Sequence, residues 1–104
     1  MAYYLVKAKP KKDVQQKLET SLKNKVFVEL KPFGKALTFS LENAKILEEG
    51  YSAWEEEDYC IPPLAEERTS VLDKYFEQIE VKKVNKGEGW ETIKSLARLF
   101  PDLH

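Results

Sequence analysis

The spacing of apolar residues changes several times along the chain, and each change predicts an element. Between Tyr3 and Lys9 apolar and polar positions alternate with the period of a strand. Tyr4, Val6 and Ala8 fall on one face, Tyr3, Leu5, Lys7 and Lys9 on the other, and Pro10 closes the run. Val14, Leu18, Ser21 and Leu22 then follow helical spacing, with Asp13 and Gln16 at the separation of a capping box, until the pattern fades near Asn24. Val26 to Leu30 favours strand by propensity, but it is short and close to Pro32, so a brief irregular crossing fits it as well. Pro32-Phe33-Gly34 signals a turn. Leu37, Phe39 and Leu41 alternate with Thr38, Ser40 and Glu42, which predicts a half-buried strand. Tyr51 to Asp58 completes a hairpin with it, across a loop around Asn43 to Glu49. Pro62-Pro63 opens a helix that carries Glu66 and Glu67 in its first turn and buries Leu64, Val71, Leu72, Tyr75 and Phe76. Ile79 to Val84 reads as the last strand, and Gly87-Glu88-Gly89 leads into a final helix with Trp90, Ile93, Ala97 and Phe100 on one side, stopped by Pro101.

The predicted fold class is therefore α+β: a ferredoxin-like β-α-β-β-α-β core with an antiparallel sheet, plus a C-terminal helix. At 104 residues the chain, 1–104, is expected to form a single α+β domain with one core. Two helices would cover one face of the sheet. The other face, with Tyr3, Leu5 and one side of the hairpin, also needs cover, either from the final helix or from a second copy of the chain. The second arrangement resembles the small dimeric α/β barrels, and a homodimer is expected on that ground. The resemblance is one of architecture over about residues 3–84, and it implies no functional residue.

Composition adds three limits. Aromatic residues make up 12% of the chain, too many for a disordered segment. No apolar run approaches about 18 residues, so a soluble protein with no membrane span is expected. Cys60 is the only cysteine, which rules out an intrachain disulfide and favours a cytoplasmic location. The net charge of -1 also hides a segregation. Nine lysines face three acids up to Lys35, whereas from Glu42 to Glu67 nine acids face Lys45 alone.

The most unusual stretch is Trp54-Glu55-Glu56-Glu57-Asp58-Tyr59, four consecutive acids inside a predicted strand. Acids are poor strand formers and repel one another, so a run of them needs a reason. Alternation sends Glu55 and Glu57 one way and Trp54, Glu56 and Asp58 the other, so one set points toward the core. A carboxyl beside a Trp in a partly dry pocket has its pKa raised and can serve as a general acid or base. Two plainer readings weigh more: an edge strand charged against aggregation, or acids paired with Lys7, Lys9 or Lys82 across the sheet. Trp54, Glu56, Asp58 and Tyr59 are the ligand-binding or interface candidates.

Other candidates weigh less. With one Cys and one His, and no calcium-loop pattern, neither a metal nor a cofactor is expected. Cys60, at a strand-to-helix junction, reads as a structural thiol, and the sole His104 cannot complete a Ser-His-Asp triad. The glycines at 87 and 89 could turn backbone N–H groups toward an anion, although a flexible entry turn explains them at less cost. Tyr3, Tyr4 and the lysines at 7, 9, 11 and 12 invite a nucleic-acid reading, but a pI of 5.9 and a lack of recognition motifs disfavour it. The expectation is a non-catalytic, self-associating interaction or ligand-binding module. The alternatives are a small acid/base enzyme using the Trp54–Tyr59 segment and weak RNA binding through the N-terminal lysines.

Overall fold

The computed structural model describes residues 2–58 and 61–103. Strand β1 (Ala2–Pro10) lies inside a four-stranded antiparallel sheet of order β2-β3-β1-β4, completed by β2 (Lys45–Ile46), β3 (Ser52–Asp58) and β4 (Phe76–Val84). The β1–β3 register sets Val6 opposite Trp54, Tyr4 opposite Glu56 and Ala2 opposite Asp58. Val6, Ala8 and Trp54 are fully buried on one face of the sheet. They pack with Leu18 and Leu22 of helix α1 (Gln15–Lys23), Leu37 and Leu41 of helix α2 (Gly34–Glu42), and Leu64, Val71, Leu72 and Phe76.

Several elements differ from the sequence reading. A 3-10 turn, Lys12–Val14, precedes α1, and no side chain caps either start, so the Asp13–Gln16 spacing builds no capping box. Residues 24–33 take the irregular crossing, with Val26 exposed and Phe27 buried edge-on against Tyr75 at 6.1 Å. The predicted strand at Leu37–Leu41 is helix α2. Leu37 and Leu41 are four residues apart, a spacing that serves a helix face as well as a strand face, and Phe39, which completed the alternation, is 59% exposed. The predicted hairpin therefore loses its first strand; β3 pairs instead with the two-residue β2, which lies in the stretch read as the hairpin's loop.

Residues 65–75 form one composite helix: α turns Ala65–Glu67 and Asp73–Tyr75 flank a π turn, Arg68–Leu72. The final helix spans only Glu88–Ile93. Ala97 is exposed, because residues 97–99 leave the helix and run along β2: the Ile46 N–H donates to the Ala97 carbonyl and the Leu99 N–H to the Ala44 carbonyl. Trp90 is half-buried and meets Phe39 edge-on at 6.2 Å. This last helix packs over the outer face of β3 and β1.

Gly34 fixes how α2 enters the structure. A Cβ there would stand 2.2 Å from the Phe27 carbonyl oxygen and 2.7 Å from that of Val28, both backbone atoms that cannot step aside. Gly34→Ala is therefore expected to cost about 1–3 kcal/mol or more through overpacking. Urea denaturation checks this, and an unchanged midpoint would show that the crossing is free to relax.

Candidate functional site

The pleat of β3 turns Trp54, Glu56 and Asp58 toward the helices, where all three are buried. Lys7 and Lys82 cannot neutralise them, since both fall on the outer face of the sheet in the observed register. Lys7 and Lys9 instead stand over the Tyr51 ring, 4.4 and 5.8 Å from its centroid. Neither plain reading of the acidic run, a wet edge or ion pairs with these lysines, describes Glu56. Its side chain is fully buried and neither carboxyl oxygen has a well-formed hydrogen bond among the described residues.

Burial therefore decides the protonation state of Glu56. Loss of hydration pushes its pKa well above the ordinary carboxylate value of 4.5, and the neighbouring Glu67, Asp58 and Glu57 carboxyls add to the shift. The Trp54 indole N–H, directed at the Glu56 carboxyl, works in the other direction but does not outweigh burial. Trp54 also packs on Phe76, with ring centroids 5.0 Å apart, which walls Glu56 off from water on that side.

Glu67 is the residue that sequence reasoning missed. In the sequence it served only as an acid suited to a helix N-terminus. In the structure it is 1% exposed and joins the β3 carboxyls from the composite helix. The signal was available: Glu67 stands three residues after Leu64 and four before Val71, on the stripe that those residues bury. Its pKa is pushed up to about 7, first by burial and then by the charge of Asp58 and a hydrogen bond with it; a bond to its own backbone works in the other direction. At neutral pH Glu67 is therefore close to its midpoint, protonated in about half of the molecules. Asp58 in turn accepts a hydrogen bond from the Leu64 N–H. That donor is aimed by a left-handed backbone at Leu64, φ 62°, an unfavourable conformation for a bulky residue and one often held at functional positions.

A cavity of about 110 Å³ adjoins the cluster, lined by Pro32, Phe33, Ala36, Glu57, Asp58, Glu66 and Glu67. Glu67 lines it, and its Oε1 is buried without a hydrogen-bond partner among the described residues. A broader groove of about 430 Å³ begins where this cavity ends, sharing Phe33 and Glu66 and continuing along Leu30, Lys31, Ala65, Thr69 and Ser70. The structure thus brings Trp54, Glu56 and Asp58 together as the alternation implied. Tyr59, the fourth candidate, and Cys60 lie outside the described residues. Among the described residues no group of three or more His, Cys, Asp or Glu side chains is placed to hold a metal ion.

The outer side of the same strand treats its acid differently. Glu55 accepts hydrogen bonds from the backbone N–H groups of Gly87 at 2.9 Å, Gly89 at 2.7 Å and Trp90 at 3.3 Å. The glycine turn does present N–H groups to an anion, and the anion is this side chain. A Cβ on Gly89 would meet Glu55 Oε1 at 2.9 Å.

The raised carboxyls make stability depend on pH. A carboxyl whose folded pKa exceeds its unfolded value binds more protons in the folded state, so stability falls as pH rises between the two values. For Glu67 that window runs from 4.5 to about 7. Through Glu67 alone, wild type is expected to lose on the order of 1–3 kcal/mol between pH 5 and pH 8; Glu67→Gln removes that share, and the raised pKa of Glu56 leaves a remaining loss of the same sign. Denaturation midpoints across this range check the sign; a wild type that gains stability over the same interval contradicts it. Comparison with protein-family models, with curated proteins and with solved structures finds no match for the chain.

Proposed function

We propose that the chain is a small-molecule-binding module whose site is the cavity between the entry to α2, the end of β3 and the composite helix. One observation carries this reading: a buried carboxyl, Glu67, whose Oε1 has no hydrogen-bond partner among the described residues, lines a cavity of about 110 Å³. An unsatisfied buried acceptor costs about 1–3 kcal/mol, and natural folds tolerate that cost where a ligand removes it. The π turn that follows Glu67 fits the reading, since such turns recur at functional sites.

A ferredoxin-like architecture belongs to the same proposal. β3 lies between β1 and β2, and β1 between β3 and β4, so each strand-helix-strand unit is split by a strand of the other. The case for a homodimer is weaker than the sequence made it. The last helix packs on part of the outer face, which reduces the apolar area that a second copy would have to cover. The expected cytoplasmic setting rests on the single cysteine. RNA binding gains nothing from the placement of Lys7 and Lys9 on Tyr51, or of Lys11 on the Asp73 carbonyl.

A second reading, an acid/base enzyme, is favoured by one fact. A group with a pKa of about 7 can give and take a proton at neutral pH. Fragment screening by amide NMR separates the readings. Binders are expected to shift Phe33, Ala36, Glu57 and Glu67 together, and to be recovered unchanged. Hits scattered over the surface would overturn the site. Conversion of a bound fragment that Glu67→Gln abolishes would move the assignment to catalysis.

A further inference from the structure

We propose that β4 is a self-association surface: its free edge pairs antiparallel with β4 of a second copy of the chain, about a twofold axis at Val81. This surface shares no lining residue with the cavity and needs no ligand. It also differs from the surface that the sequence suggested for a dimer, the outer face of the sheet.

The two edges of the sheet are built differently. At the β2 edge, residues 97–99 close the ladder. The Ile46 N–H donates to the Ala97 carbonyl, the Leu99 N–H donates to the Ala44 carbonyl, and Lys45 bridges to Arg98. The nine-residue β4 pairs with β1 on one side, and among the described residues no strand lies on its other side. Backbone N–H and C=O groups along it therefore face outward, ready to pair with another strand. Glu80, Val81, Lys82 and Lys83 are all exposed there, and Val81 leaves 37% of its surface open.

The order of charges along this edge selects the occupant. Acids come first, Glu77 and Glu80, and lysines follow, Lys82 and Lys83. Two antiparallel copies centred on Val81 set each Glu80 opposite the partner's Lys82, and Val81 opposite the partner's Val81. Glu80 and Lys82 belong to the outer face, since they stand opposite Lys7 and Leu5 of β1. Val81 belongs to the inner face, opposite Val6. The contact therefore gains two cross-strand ion pairs on one side of the joined sheet and an apolar pair on the other. A shift of the twofold axis by one residue sets Glu80 against Glu80 or Lys82 against Lys82, so like charges reject the neighbouring registers.

Lysines on an edge ordinarily keep other sheets away. Here an acid precedes them by two residues, so the same charges that repel a foreign basic edge attract a copy of their own. A bulge with Gln78 at φ 52° interrupts the start of β4 and leaves residues 79–84 as the straight segment for pairing. Because residues 97–99 cover the β2 edge, one β4–β4 contact uses the free edge of each copy, and assembly closes at two chains instead of growing into a fibre.

Sedimentation velocity on the full chain from about 10 µM to about 1 mM, with amide NMR over the same range, tests the proposal. The expected result is a monomer–dimer equilibrium that weakens with added salt, with concentration-dependent shifts and slowed amide exchange confined to residues 79–84. Glu80→Lys and Lys82→Glu, each confirmed as folded by its spectrum, should each weaken self-association about tenfold or more, because each turns two opposite-charge pairs into like-charge pairs. Mixed in equal amounts, the two variants should recover wild-type association, since one then presents two positive charges to two negative ones. A chain that stays monomeric at about 1 mM overturns the proposal. So do shifts that map to Tyr3, Leu5 and the last helix instead of β4, single reversals that leave the dimer unchanged, or a mixture of the two variants that fails to associate.

Discussion

The pleat of β3 forces one half of an acidic run beneath the helices, and the rest of the site follows from that. Glu56 enters the core between Trp54 and Asp58 with no well-formed hydrogen bond to meet it among the described residues. A bare carboxylate in such a place is prohibitively costly, so the group keeps its proton. Glu67 responds to the same pressure: burial, the Asp58 charge and a hydrogen bond with Asp58 push its pKa up to about 7. Leu64 accepts a left-handed backbone and points its N–H at Asp58. Burial, raised carboxyl pKa values and a strained donor are thus three consequences of one placement.

The two faces of β3 show what a partner changes. Glu55 and Glu56 are adjacent and both are buried, yet their surroundings are opposite in kind. Glu55 receives three backbone N–H groups at the start of the last helix, which satisfy a carboxylate and tie that helix to the sheet. Glu56 receives none. The acidic run is therefore a structural clamp on the outside and, at Glu56, a buried carboxyl of raised pKa on the inside. Glu57, the fourth acid's neighbour, stays half-buried and lines the cavity between α2 and the composite helix.

Much of this was legible in the order of residues, and the misses have physical causes. Strict alternation from Trp54 to Asp58 correctly placed Trp54 with the two inward acids, because a paired strand leaves its side chains only two directions. The same argument failed at Leu37, Phe39 and Leu41. Three alternating apolar residues contain an i, i+4 pair, and packing on α1 and β3 chose the helix. Ala97 and Phe100 fitted a helical stripe, yet pairing of residues 97–99 with β2 ended the helix at Ile93. Glu67 was hidden for another reason. Its charge suited a helix start, and only its spacing from Leu64 and Val71 betrayed that it points inward. The cavity itself needed Pro32, Phe33 and Ala36 to arrive from a distant stretch of chain, which no local pattern encodes.

The central claim is that burial holds the pKa values of the interior carboxyls Glu56 and Glu67 above the ordinary carboxylate range. Carbon-detected NMR titration of the side-chain carboxyls measures it residue by residue. The account predicts a midpoint of about 7 for Glu67 and one well above 4.5 for Glu56. Midpoints near 4.5 for both would mean that water or a cationic side chain reaches the cluster, and the account of the site would be wrong.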